Sequence, residues 1–290
     1  MIVLILSMLL NEFRNHFVDS LIKDYPKTEI IAFFRRLTDF YFQWSPTFYP
    51  LNPDYPLSDR ELDILSKALL ELKEHKPLQY IIHDAHFYGR SFYVDENVLI
   101  PRPETEDLVN WVLSDFDQYE GGLNVLEVGT GSGCIAVNLV KENNNFNVEA
   151  LDVCAQAIAI AQKNAIFHEV EVDFIVQDIR GLEGWTKPLD IIISNPPYVA
   201  PGEKKEMLPN VLDYEPHLAL FAPEKDPLYY YKKIMVVAES SLKVGGSLYF
   251  EVNPKFLEQL VSFIKTKTFE DIEVRNDIFG KQRMLKALKS

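Results

Sequence analysis

The apolar positions of the chain change their period once. Up to about residue 76 they recur every three or four residues, at Leu9, Phe13, Phe17 and Leu21, then at Ile30, Ile31, Phe34 and Leu37 after Pro26. That spacing puts one apolar stripe on a helix. The proline-rich stretch SPTFYPLNPDYP interrupts the series, because proline cannot continue a helix. Ser58 and Glu61 then form a capping box ahead of Leu62, Leu65, Leu69 and Leu72, which share one face. A small helical bundle is predicted over residues 8–76. The segment HFYGRSFYV carries aromatic residues on both sides of Gly89-Arg90 and predicts a short hairpin. PRPETEDLVNWVL opens a further helix, with Pro103 in its first turn and acids beside it.

From residue 124 the pattern becomes short apolar runs alternating with helical stretches. The predicted strands are NVLEVG, FNVEALDV, VEVDFIVQD, LDIIISN and GSLYFEV, with helices near 133–142, 154–167, 228–242 and 254–265. EDIEVRNDI and RMLKALK finish as an antiparallel pair, making seven strands. Such alternation predicts an α/β fold, a Rossmann-like, mostly parallel sheet with helices on both faces. The division expected is a helical domain over residues 1–84, a hairpin linker over 85–101 and the α/β domain over 102–290.

Composition changes this picture little. Hydrophobic residues are 47% and charged residues 25% of 290, as in an ordinary globular protein with a real core. The net charge of -14 matters more. Residues 1–84 hold nine Lys and Arg against twelve Asp and Glu, so most of the excess lies further on. An acidic surface repels a phosphate backbone, so no direct nucleic-acid contact is expected and a protein partner suits it better. Cys134 and Cys154 are too few for a disulfide framework or a zinc cluster. They are expected as reduced core residues of a cytoplasmic protein. His83 and His86 lack a further ligand at suitable spacing, so no metal is expected. The start MIVLILSMLL has no basic leader and is too short to span a bilayer, which needs ~20 residues; Met8 is the expected start of translation.

The candidate chemistry sits where the predicted strands end. EVGTGSG, Glu127 to Gly133, follows the first strand of the α/β region and opens a helix. Glycines there let a ligand approach the backbone amides. No Gly-Lys-Ser/Thr follows, so this is not a Walker loop, and Glu127 would repel a pyrophosphate. Asp152 ends the second strand, where a carboxylate can bind ribose hydroxyls. Asp178 ends the third, where it can accept from an adenine amino group while Ile179 packs on the ring. The fourth ends in SNPPY. The amide oxygen of Asn195 and the carbonyl of Pro196 can each accept an N–H of a planar amide or amino group. Pro197 fixes the backbone, and Tyr198 is expected to lie flat on that group. Such an arrangement orients a weak nitrogen nucleophile without needing a base. Tyr229, Tyr230 and Tyr231 fall on different sides of a helix and are expected as filling.

The set PLQYI, HFYG, LIPRPETE, VLEVGTGSG, SNPPY and DYEPHLALF resembles the HemK/PrmC family, methyltransferases that act on the glutamine of the Gly-Gly-Gln loop of peptide-chain release factors. The resemblance covers residue 77 onward closely and the helical region by type and length. It implies a class I methyltransferase domain, with the helical domain recognising the substrate. Gly129, Thr130, Gly131, Ser132 and Gly133 would wrap the methionine part of S-adenosylmethionine. Asp152 would hold its ribose, and Asp178 and Ile179 would flank its adenine. Asn195 borders that cofactor; with Pro196, Pro197 and Tyr198 it would hold the substrate glutamine and carry catalysis. Arg102, Pro103 and Thr105 would shape the nearby wall, Arg102 touching substrate or else pairing with Glu104 or Glu106. The implied partner is a class I release factor docked across both domains, so a monomer is expected. One departure stands out. Asn253, after Glu251, occupies a position where the family usually has glycine, which puts the local loop path in question. NPPY is shared with adenine-N6 and cytosine-N4 DNA methyltransferases, so a nucleic-acid amino-methyltransferase is the alternative. A cofactor-binding scaffold, or a haem-pathway protein without a C-x-x-C-H motif, is a third.

Overall fold

The computed structural model describes residues 8–290; the stretch before Met8, and with it the reading of MIVLILS, lies outside the described residues. The chain forms two compact units, one ending at His83 and one running Asp84–Ser290.

The first unit contains α1 (Leu10–Leu21), α2 (Lys27–Phe42), the short α3 (Phe48–Leu51) inside the proline-rich stretch, α4 (Asp59–Lys73) and α5 (Leu78–Ile82). The expected capping box opens α4, with Ser58 and Glu61 bonding reciprocally. Its stripe of Leu65, Leu69 and Leu72 packs against Phe13, Phe17, Ile30, Phe34 and Leu37. The stripe on α1 differs from expectation by one position. Leu10, not Leu9, is buried with Phe13, Phe17 and Leu21, because Leu9 is the residue before the helix and has extended backbone.

The second unit opens with the predicted hairpin, β1 (Ala85–Phe87) and β2 (Arg90–Phe92). Phe87 and Phe92 are fully buried against α6 (Pro103–Asp115), so the hairpin packs within this unit's core. There follow β3 (Leu123–Val128), α7 (Cys134–Glu142), β4 (Phe146–Asp152), α8 (Ala155–Phe167), β5 (Asp173–Val176) and β6 (Leu189–Ser194). The remainder is α9 (Pro209–Leu212), α10 (His217–Leu220), α11 (Tyr229–Ser241), β7 (Leu242–Glu251), α12 (Leu257–Ile264), β8 (Phe269–Asn276) and β9 (Gln282–Lys289). The seven strands from β3 onward pair in the order β5-β4-β3-β6-β7-β9-β8. The first five are parallel and β9 is antiparallel to both its neighbours.

The unbroken run LDIIIS is explained by burial on both faces of the sheet. Leu189 and Ile192 join the core beneath α11 and α12, while Ile191 and Ile193 join the core beneath α6 and α7. The strand order reverses beside β3, which has β4 on one side and β6 on the other. A crevice opens at such a reversal, outside the carboxyl ends of the strands. Among the described residues no helix is long and apolar enough to cross a membrane.

Candidate active site

A cavity occupies that crevice, and it brings together nearly all the residues expected there. Its lining includes Gly129, Thr130, Gly131 and Ser132 after β3, Asp152 after β4, Asp178 and Ile179 after β5, and Asn195, Pro196 and Pro197 after β6. Arg102 and Thr105 line it from the start of α6. No lysine or histidine is part of this lining.

The glycine loop supplies space rather than side chains. Gly129 and Gly131 have φ of +78° and +55°, and a Cβ at either would meet nothing within 4 Å. A ligand can therefore approach the backbone here. Gly133, at φ +79°, serves packing instead: a Cβ there would lie 3.0 Å from the Ala161 Cβ on α8. Glu127 is fully buried at the end of β3 and also lines the cavity. Its Oε2 accepts from the Thr130 hydroxyl at 2.7 Å and from the Ala136 amide at 3.1 Å. Its Oε1 has no partner among the described residues. Burial pushes this carboxyl up to about 8. A carboxyl group in the cavity lining with one oxygen unpartnered fits the α-ammonium of a methionine moiety, so the residues fit the cofactor expected.

Asp152 is held rigidly. Its Oδ2 accepts from the Gly131 amide at 3.0 Å and its Oδ1 from the Cys154 amide at 2.9 Å. Each oxygen keeps a lone pair for a ribose hydroxyl. Burial raises its pKa despite those bonds. Asp178 is placed by its neighbour: it accepts from the Arg180 amide at 2.8 Å and pairs with the Arg180 guanidinium at 2.6 Å, which holds its carboxyl below the usual range. Ile179 is buried beside it.

The far wall differs from expectation in one residue. Tyr198 is not part of the cavity lining. Its ring packs on the core beneath α11, and its hydroxyl donates to Glu251 Oε1 at 2.9 Å. The reason is chemical: a buried phenol needs a hydrogen-bond partner, and the carboxylate at the end of β7 supplies one. Arg283 Nη1 also donates to that hydroxyl at 3.3 Å. The aromatic side chain that does line the cavity is Tyr230, with Ile234, from α11. Tyr231 is core filling as expected, buried with its hydroxyl donating to the Glu251 carbonyl at 3.0 Å, so among the three tyrosines Tyr230 is the one that departs from expectation.

Arg102 pairs with neither Glu104 nor Glu106. It binds Glu215 at 2.6 Å, and that carboxylate's other oxygen accepts from the Ile100 amide at 3.2 Å. Burial raises the Glu215 pKa and Arg102 opposes it. The segments LIPRPETE and DYEPHLALF are therefore parts of one wall, clamped by an ion pair whose carboxylate is buried and whose guanidinium is partly exposed. Asn253 has ordinary extended backbone, φ -72°. It donates to the Tyr198 carbonyl at 3.2 Å and to Glu203 at 3.0 Å, and accepts from the Lys255 amide at 3.0 Å. The loop path questioned at this position is thus stitched by the asparagine itself. Cys134 is buried as expected, but Cys154 is half-exposed on the cavity rim rather than in the core. Glu251, Glu215, Arg283 and Tyr230 received no site role from the sequence. Glu215 beside Pro216, in a motif already singled out, was the one available signal.

The chain matches the model of the PrmC N-terminal domain over residues 15–82 and that of the methyltransferase small domain over residues 109–213. It is 42% identical over 281 residues to the release factor glutamine methyltransferase of Flavobacterium psychrophilum, covering 96% of this chain and 99% of that one. The chain belongs to the release factor glutamine methyltransferase family. A second member of that family, from Bacteroides thetaiotaomicron, is 41% identical over 82% of this chain and 84% of its own. A methyltransferase structure from Pyrococcus furiosus, 18% identical with a TM-score of 0.51 over 80% of this chain and 98% of that one, shares the fold.

Proposed function

We propose that this release factor methyltransferase transfers a methyl group from S-adenosylmethionine to the side-chain N5 nitrogen of the glutamine in the Gly-Gly-Gln loop of class I release factors. The observation that carries the reading is the Asn195 amide at the edge of β6, bordering a cavity fit for the methyl donor, in a chain of this family.

The donor would supply a methyl group on a sulfonium, whose sulfur keeps the electron pair of the broken S–CH3 bond and leaves as the neutral thioether S-adenosylhomocysteine. The chain's own residues supply position. Glu127 faces the donor's ammonium, Asp152 its ribose, and Asp178 with Ile179 its adenine. The substrate amide nitrogen is a poor nucleophile because its lone pair is delocalised into the carbonyl. Asn195 Oδ1 and the Pro196 carbonyl accept its two N–H groups and turn the nitrogen toward the methyl group. As the nitrogen pyramidalises, those acceptors stabilise the charge it develops, an effect of positioning and preorganised dipoles. No basic side chain is required, in keeping with a lining that holds neither Lys nor His. The methylated nitrogen then loses one proton toward solvent. Tyr198 acts from behind the site, anchoring the NPPY loop through Glu251.

The helical unit ending at His83 serves substrate recognition and the unit Asp84–Ser290, whose core includes the hairpin expected as a linker, serves catalysis. The enzyme works as a cytoplasmic monomer without direct nucleic-acid contact. The test is transfer of labelled methyl to a purified release factor, to that factor with its Gly-Gly-Gln glutamine replaced, and to duplex DNA. Label on the intact factor alone is expected. Label on DNA favours the nucleic-acid amino-methyltransferase instead.

A further inference from the structure

A side-chain amide is a donor at one end and an acceptor at the other, so Asn195 works only in one sense. Its Nδ2 lies 3.1 Å from Thr105 Oγ1, which lies 2.6 Å from the buried Glu251 Oε2. A carboxylate oxygen accepts, so the Thr105 proton points at Glu251. The lone pairs of the hydroxyl are left facing Asn195, and only an N–H end satisfies them. Glu251 Oε1 accepts from the Tyr198 hydroxyl at 2.9 Å, so both oxygens of this carboxyl act as acceptors. Asn195 Oδ1 accepts from no side chain or amide among the described residues. We propose that Glu251, acting through Thr105, fixes the sense of the Asn195 amide so that its oxygen, and not its NH2, is offered to the substrate. Glu251 is a positioning residue, and its role rests on the function proposed above.

The relay makes an unusual prediction for the isosteric change Glu251→Gln. In the structure the Tyr198 proton goes to position 251 while Arg283 donates to the same hydroxyl, and the glutamine variant is expected to keep that bond. A glutamine there gives its oxygen to Tyr198 and its NH2 to Thr105. Thr105 then has no acceptor at position 251, and its freed proton favours Asn195 Oδ1, so the amide is expected to turn over and show its NH2 to the substrate. Thr105→Val, by contrast, only removes the bias. Turnover of the release factor is therefore expected to fall about 100-fold in Glu251→Gln and about 10-fold in Thr105→Val, a loss of one preorganised acceptor against a loss of its alignment. The double variant returns to the level of Thr105→Val, because the reversed signal no longer reaches Asn195. Thr105→Ser, which keeps the hydroxyl, recovers turnover to within about threefold of wild type. In Glu251→Gln the affinity for S-adenosylmethionine moves by less than about threefold, since Glu251 is not part of the cavity lining.

Kinetics of the four variants and wild type on one release factor, with binding of the methyl donor measured alongside, test this. A double variant worse than either single, or a Glu251→Gln loss no larger than that of Thr105→Val, overturns the relay. If Glu251→Gln does not bind the donor, the ratio of Thr105→Val to Thr105→Ser decides: equal losses overturn it. Absence of methylation by the wild type would overturn instead the function on which it rests.

Discussion

The cavity has two walls, and they are built by opposite means. The wall for the methyl donor is local. Asp152 and Asp178 each accept from the amide two residues on, and the glycine loop is tied to the end of the neighbouring strand, where the Gly129 and Thr130 amides donate to the Leu151 carbonyl and the Gly131 amide to Asp152. The wall for the substrate amide is assembled from afar. Asn195 follows β6, Thr105 lies on α6, Glu251 ends β7 and Arg283 lies on β9, and one chain of hydrogen bonds joins them. A donor of fixed shape can be held by one loop per strand. A single amide that must face one way needs partners on every side of it. Damage to the first wall should therefore appear as lost affinity, and damage to the second as lost turnover.

The largest expected effect breaks the second wall. Asn195→Ala should lower turnover by about 10²–10³-fold, the usual cost of one preorganised polar group. Calorimetry should show donor affinity changed by less than about threefold; equal loss of both would merge the two walls.

Asp152→Ala should do the reverse. Losing hydrogen bonds to a charged group costs about 1.5–3 kcal/mol, so donor affinity should fall roughly 10–100-fold. Turnover at saturating donor should change little, and a large fall there would give Asp152 a part in the chemistry.

Gly133→Ala tests the loop as architecture. At φ +79° and 3.0 Å from Ala161, a methyl group adds backbone strain and a close contact, together about 1–3 kcal/mol. Denaturant unfolding should show the loss, and unchanged stability would mean that α8 yields freely.

The last effect is a slope. Burial lifts Glu127 to about 8 in the fold from an ordinary 4.5. Below that lower value both folded and unfolded states hold the proton. Between the two, the unfolded chain loses it while the fold keeps it. Stability should therefore decline as pH rises across that window, by ~1 kcal/mol per pH unit. The difference in stability between wild type and Glu127→Gln, followed across the window without ligand, should carry this slope; a flat difference would show Glu127 ionised in the fold.

The same contrast explains what could be read from the sequence. The donor wall was legible because its residues lie at successive strand ends, and apolar runs such as LDIIIS announce those ends. Asn195 was legible because two prolines stop its strand. The relay behind it was not. Nothing near Thr105 names Glu251 as its partner, since that contact spans 146 positions and depends on how α6 settles against β7. Tyr198 shows the same limit: its ring was placed by local chemistry alone, whereas a distant carboxylate decides where it turns. Tyr230 was passed over because helical phase separates it from Tyr229 and Tyr231 without saying which of the three faces the crevice. The one-residue slip from Leu9 to Leu10 reflects an end effect, since the periodic pattern carries no mark of where the helix begins.

The strand order has a consequence for how the sheet comes into being. β9 lies between β7 and β8, so the rim strand leaves the ribosome before the strand that seats it. Until β9 is in place, β8 has no strand to pair with, since β9 is its one neighbour in the sheet. Its outward residues are Glu270, Asp271, Glu273, Arg275 and Asn276, a charged hem that discourages a stray strand from a neighbouring chain. Assembly ends with an insertion rather than an addition, and the slot is guarded until its own occupant arrives.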